Sequence, residues 1–170
     1  MTWTKETLTF KNFFNSFEDG LYNLNPEHQR DVVHNDEWKS GIIRSSLKFG
    51  DIPPVYFHTK TDDTNLNTYD SLDGKQRCSA IIEYMKNEFE YKCTYPESFY
   101  RKKYDQLSSV DKQKFNNCKI DTKIHNTEMS LEDIQEFFAD RQSHKTTTLG
   151  EHLNSMVASS LRCEFITQIK

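Results

Sequence analysis

The segment from Tyr69 to Lys86 constrains this chain more than any other. Tyr69 to Leu72 reads as a strand, Asp73-Gly74 as the turn after it, and about Gly74 to Lys86 as a helix. Cys78, Ile81, Ile82 and Met85 fall within about a quarter-turn of each other, so the helix has one well-defined apolar face. A strand that passes directly into an amphipathic helix is the joint of a layered α+β domain.

The rest of the pattern supplies elements around that joint. Phe10, Phe13, Phe14 and Phe17 recur on a helical period across residues 8–19, and Gly20 ends that helix. Leu21 to Leu24 is a candidate short strand. Asn25-Pro26 then opens a loop carrying Glu27-His28-Gln29-Arg30. Asn35 can cap a second helix, with Asp36 and Glu37 at its positive end, an apolar side of Trp38, Ile42, Ile43 and Leu47, and Gly50 as its stop. Val55 to His58 is a buried-type strand, and Thr59 to Thr68 a polar hairpin loop. Phe89 to Cys93 is a further candidate strand, residues 94–108 read as irregular, and Ser108 or Ser109 caps a short helix ending near Asn117. Ile120, Thr122 and Ile124 share one face of a half-buried strand from Lys119 to His125. Ser130 opens a helix with Leu131, Ile134, Phe137 and Phe138 on its buried face; Arg141 to Thr147 reads as a loop, and Thr148-x-x-Glu151 opens a final helix. The expected architecture is one α+β domain over residues 1–170, a small mixed sheet with packed helices, with a core at about 8–93 and a helical part at about 94–170.

A chain of 170 residues can bury a real core, and 12 Phe with 8 Tyr make that core aromatic. No apolar run approaches the roughly 18 residues that span a bilayer, and Met1 to Lys5 lacks a signal-type apolar stretch. The expectation is a soluble intracellular protein with no membrane partner, the cytoplasm and nucleus both remaining open. The four cysteines lie far apart without a Cys-x-x-Cys pair, which argues against a zinc site or disulfide framework and makes Cys78 a core residue. The pairs His28/His34 and His144/His152 have no ligand-like spacing, so a histidine metal centre is not expected. With 22 Lys+Arg against 26 Asp+Glu, the net charge is −4. A protein holding DNA chiefly by its phosphates is normally basic, so any DNA contact here uses a local patch or a partner protein.

Two polar clusters are candidates for chemistry. Asp73-Gly74-Lys75-Gln76-Arg77 lies at a helix start, where unpaired N–H groups and the helix dipole favour phosphate. Gly74 leaves room for a close ligand, Lys75 and Arg77 supply cationic contacts, and Asp73 could hold Mg²⁺ or orient a water. The structural reading is equally direct: Asp73-x-x-Gln76 is an acceptable capping box with Asp73 as N-cap. Arg30 in the upstream loop could reach the same phosphate, cap a helix end or sit on the surface. No P-loop motif, no Gly-x-Ser-x-Gly elbow and no His-Asn-His nuclease cluster occurs.

The ordered set Asn-Pro-Glu-His-Gln-Arg (25–30), Trp38, Phe49-Gly50-Asp51-Ile52-Pro53-Pro54-Val55 and Leu72-Asp73-Gly74-Lys75-Gln76-Arg77 resembles the N-terminal domain of GmrSD-type restriction endonucleases, within the ParB/sulfiredoxin-like superfamily. The looser late block is Phe138, Arg141, Gln142, Thr148, Glu151 and Leu153. Lys75 replaces the family's usual Gln, His28 stands where an aromatic is common, and the usual late Gly is missing around Ser143-His144-Lys145.

The resemblance implies a nucleotide-binding protein whose NTP hydrolysis is linked to DNA restriction or processing. Asp73, Gln76 and Arg77 would be catalytic, Gln29, Arg30, Gly74 and Lys75 would hold nucleotide and phosphates, and Trp38, Arg141 and Gln142 would support them. Mg²⁺ on Asp73 and an NTP are the implied cofactor and ligand. A DNA nuclease using the same Asp/Arg pocket, and a non-catalytic nucleotide- or nucleic-acid-binding module, stand as alternatives. Restriction proteins of this type usually carry a His-containing nuclease domain, so a separate nuclease subunit or a homodimer partner is expected.

Overall fold

A computed structural model describes residues 2–26, 34–61 and 67–144, with side chains as far as residue 141. The chain divides into two compact units, residues 1–129 and residues 130–170.

The first unit is built on a five-stranded sheet whose strands, counted in chain order, lie first, fifth, third, fourth, second. β1 (Trp3–Thr9) pairs antiparallel with β5 (Lys119–His125), from Trp3 opposite His125 to Thr9 opposite Lys119. β5 runs parallel to β3 (Val55–Thr61), β3 antiparallel to β4 (Asn67–Asp73), and β4 parallel to the two-residue β2 (Tyr22–Asn23). This is the mixed α+β sheet expected from the sequence.

The helices are α1 (Phe10–Glu18), α2 (Asp36–Phe49), α3 (Lys75–Met85) and α4 (Ser109–Asn117), with short 3₁₀ turns at Glu97–Phe99 and Tyr104–Gln106. α3 packs on β3, on α1 and on α2. Caps set three of the starts: Thr9 Oγ1 accepts from the Asn12 N–H at 3.1 Å, Asn35 Oδ1 from Trp38 at 2.9 Å and Ser108 Oγ from Asp111 at 3.1 Å. α2 stops as expected at Gly50, whose φ of 68° costs a residue without Cβ little.

Phe10, Phe13, Phe57, Ile81, Tyr84 and Phe115 are fully buried. Each contributes about 1.5–3 kcal/mol of burial free energy. The Tyr84 ring lies 5.3 Å from Phe115 and 5.4 Å from Phe89, and its hydroxyl donates to the Lys102 carbonyl at 3.2 Å. Aromatic size thus fills the core while the polar tip stays satisfied.

Several expectations need correction. Residues 3–9 form a full strand, and the first helix starts two residues later than expected, at Phe10. Phe89 to Cys93 is not a strand: the Tyr91 N–H donates to Lys102 O and its carbonyl accepts from Arg101, so local loop closure takes its backbone groups. The expected loop at Thr59 to Thr68 is shorter, because β3 reaches Thr61 and β4 starts at Asn67.

In the second unit, α5 (Leu131–His144) opens where expected, with Ser130 Oγ accepting from the Asp133 N–H at 3.2 Å. Leu131 is 64% exposed, however, and does not share the buried position of Ile134. The helix also runs through Arg141 to His144, where a loop was expected. The helix expected from Thr148 lies outside the described residues. Among the described residues, no helix is long and apolar enough to cross a membrane.

Candidate functional site

The segment 73–77 lies where β4 passes into α3. Tyr56 pairs with Asp73 while Phe57 pairs with Ser71, so Leu72 is an extra residue on β4. Such a bulge bends the strand end and re-aims the residue beside it. Asp73 therefore finishes the strand opposite Tyr56, and Gly74, not Asp73, is the N-cap of α3. The expected Asp73 capping box is corrected on that ground: Gly74 has φ 106° and no side chain to cap with. A Cβ on Gly74 would lie 2.4 Å from Val55 Cγ1, 2.8 Å from Val55 Cβ and 3.1 Å from Arg77 Nη2. Backbone twist and space both demand glycine here.

Arg77, one turn into α3, folds back over this joint. Its Nη2 donates to the Pro54 carbonyl at 3.1 Å and lies 3.7 Å from Asp73 Oδ2. The two side chains are 19% and 27% exposed, so the pair sits at the rim of the protein interior. Arg77 Nε is buried and has no hydrogen-bond partner among the described residues. A guanidinium donor left in that state costs about 1–3 kcal/mol, unless an acceptor arrives. Lys75 and Gln76 are half-buried residues of the first helical turn.

Next along α3, Cys78 is fully buried. Burial pushes its thiol up to about 12, with the Arg77 charge opposing and the Asp73 charge adding to the rise. It is a core thiol and no nucleophile. On the other side of Tyr56, Lys123 of β5 stands in register and donates to the Tyr56 hydroxyl at 3.3 Å.

The other candidates fall elsewhere. Trp38 lies at the start of α2, is 36% exposed, and stacks on His34 at 4.0 Å, so the apolar side expected to include it begins instead with Ile42 and Ile43. Its neighbour Lys39 ion-pairs with Glu83 at 2.6 Å, two turns along α3 from Lys75. Arg141 belongs to the second unit, where its guanidinium lies 5.5 Å from the Phe137 ring centre. Gln142 is a helical position of α5 whose side chain is outside the described residues, as are Gln29 and Arg30 entirely. Among the described residues, no group of three or more His, Cys, Asp or Glu side chains is placed to hold a metal ion.

A family model, the N-terminal domain of the GmrSD restriction endonuclease, matches residues 10–166. The chain belongs to that family. The match takes in the 73–77 joint of this GmrSD N-terminal domain, residues 25–30 and α5. No curated protein sequence matches the chain. Among solved structures, the chain is similar to the C-terminally truncated chromosome-partitioning protein ParB from Caulobacter crescentus complexed with CTP-gamma-S, at 9% identity and a TM-score of 0.44. The similarity covers 85% of this chain and 56% of that one, so the chain spans little more than half of the ParB structure.

Sequence reasoning missed two parts of the site. The Pro54 carbonyl that holds Arg77 is a backbone atom and leaves no mark in the residue pattern. Val55, which closes against Gly74, read only as a strand residue.

Proposed function

We propose that the β4–α3 joint binds the phosphate chain of a nucleoside triphosphate, and that the domain hydrolyses it in a process linked to DNA restriction. The buried Arg77 Nε beside a helix start, without a hydrogen-bond partner among the described residues, carries this reading. A phosphate oxygen would satisfy that donor through a charge-assisted hydrogen bond and would meet the first-turn N–H groups. Membership of a restriction endonuclease family supports the link to restriction.

Phosphoryl transfer asks the protein mainly for positioning and charge stabilisation. In this reading Arg77 holds phosphate oxygens, while the Pro54 carbonyl keeps its guanidinium from swinging away. Asp73 orients the attacking water and releases part of its grip on Arg77 as the anion enters. Gln76 lies in the turn that faces the phosphates and orients nucleotide or water. Lys75 adds charge, and Gln29 and Arg30 supply further contacts to the nucleotide and its phosphates. Mg²⁺ is commonly bound by one or two carboxylates together with substrate phosphates, so a single Asp73 suits a cation that arrives with the nucleotide and neutralises its charge.

The test is phosphate release from ATP, GTP and CTP with Mg²⁺, comparing the wild type with Asp73→Ala. Turnover that disappears in the variant is the expected result. Equal release by both proteins would overturn the catalytic assignment. Nucleotide-dependent thermal stabilisation without any release would leave a binding module in its place.

A further inference from the structure

A second surface lies at the C-terminal end of α2. Phe49 is 66% exposed and Tyr95 48% exposed. Single exposed apolar residues need no explanation. Here, however, one ammonium serves both rings: Lys48 Nζ lies 5.3 Å from the centre of Phe49 and 5.4 Å from that of Tyr95. Arg44, exposed one turn earlier on α2, places its charge near Tyr91 and Cys93 at the root of the same loop. Neither Arg44 nor Lys48 forms an ion pair with a described residue. Asp51 and Glu97, two residues from Phe49 and Tyr95, form no ion pair with either cation among the described residues.

Beside Tyr95 a cleft of about 540 Å³ opens between α2 and α4, with Lys114 and Asn117 on its wall. Lys114 Nζ lies 3.5 Å from Asp111 but is 62% exposed, so it keeps a face toward solvent. The chain as a whole carries −4, so binding here rests on these individual cations and not on a net positive surface.

We infer that this surface binds single-stranded nucleic acid, with bases stacked on Phe49 and Tyr95, the intervening phosphate on Lys48, and flanking phosphates on Arg44 and Lys114. Aromatic platforms interleaved with cations are how sequence-tolerant single-strand binding is built, because every base offers a π-face and every step a phosphate. The Asn117 amide on the cleft wall can donate to or accept from a base edge. A duplex keeps its base faces stacked inside, and an acidic peptide has no faces to stack. The rings therefore favour the single strand.

Fluorescence anisotropy with a labelled oligothymidylate of about 20 nucleotides tests this, against the same length as duplex and against poly-glutamate. The single strand should bind best, and three cations give a log–log salt slope of about −2. Phe49→Ala should weaken binding about fivefold to a hundredfold. Lys48→Gln combined with Arg44→Gln should flatten the slope toward −1 and leave nucleotide binding at Arg77 unchanged. These side chains are exposed, and an unchanged thermal midpoint verifies folding of each variant. The proposal is overturned if wild type fails to bind the oligomer at about 50 mM salt, if the variants bind as wild type does, or if duplex or poly-glutamate binds as well.

Discussion

Replacing Gly74 with alanine should destabilise the protein severely, for two separable reasons. The backbone at Gly74 has φ 106°, outside the regions an L-residue adopts comfortably. Holding a side-chain-bearing residue there costs about 1–3 kcal/mol. The added Cβ would also stand 2.4 Å from Val55 Cγ1, in a core where Val55 is fully buried. Overpacking of that kind costs a further ~1–3 kcal/mol. The expected loss is about 2–6 kcal/mol, a large part of the ~5–15 kcal/mol that stabilises a typical domain. Urea unfolding followed by circular dichroism reads it as a lower midpoint with an unchanged slope. A double-mutant cycle with Val55→Ala separates the terms, because trimming Val55 relieves the clash but not the backbone strain. The double variant should be more stable than the sum of single effects predicts by at least ~1 kcal/mol. A Gly74→Ala loss below ~1 kcal/mol, or strict additivity in the cycle, would refute this account of the joint.

Three further outcomes follow from other parts of the fold. Asn35→Ala removes the Asn35 Oδ1 acceptor of the Trp38 N–H and should cost about 1 kcal/mol in the same urea assay. Cys78, whose thiol burial holds near 12, should resist iodoacetamide at pH 8 in the folded protein and react fully in urea, as mass spectrometry of the modified peptide would show. Two carboxyls sit below their ordinary range: at Asp111 burial raises the pKa, but hydrogen bonds from Ser108 and Ser98 and the Lys114 charge outweigh it, and at Asp121 the Thr7 and Lys5 hydrogen bonds lead. Between the folded and unfolded pKa values the unfolded chain binds more protons, so this stability is complete above about pH 5 and is lost as pH falls through the folded values. Asp111→Asn should flatten the acid limb of a stability–pH profile, and an unchanged limb would count against the pairing.

The sequence revealed most where a local rule decides the structure. The Asn35 and Ser108 caps, the Gly50 stop and the apolar face of Cys78, Ile81 and Ile82 are all within-element features, and each stands where its pattern put it. β1 was not legible because Trp3 to Thr9 is a largely exposed edge strand with no buried stripe; only its pairing to β5 makes it a strand. The shift of the N-cap from Asp73 to Gly74 was hidden for a related reason. It depends on a bulge at Leu72, which exists only when β4 meets β3. Leu131 fits a helical stripe by spacing yet is exposed, since spacing cannot say where a stripe ends. For the site, residue order across the 25–30 and 73–77 blocks pointed to the family that the model match identifies. The Arg77 contacts were not legible, because one is to a backbone carbonyl and the other depends on how the strand end turns.

The most direct test of the central claim is titration calorimetry of ATP, GTP and CTP with Mg²⁺ against wild type, Arg77→Ala and Arg77→Lys. Hydrogen bonds to a charged group are worth about 1.5–3 kcal/mol, so Arg77→Ala should weaken the bound nucleotide roughly tenfold to a hundredfold. Arg77→Lys keeps the charge but loses the planar fork, and should recover only part of that loss. If wild type binds none of the three nucleotides, or if both variants bind as tightly as wild type while remaining folded, the β4–α3 joint is not a phosphate site.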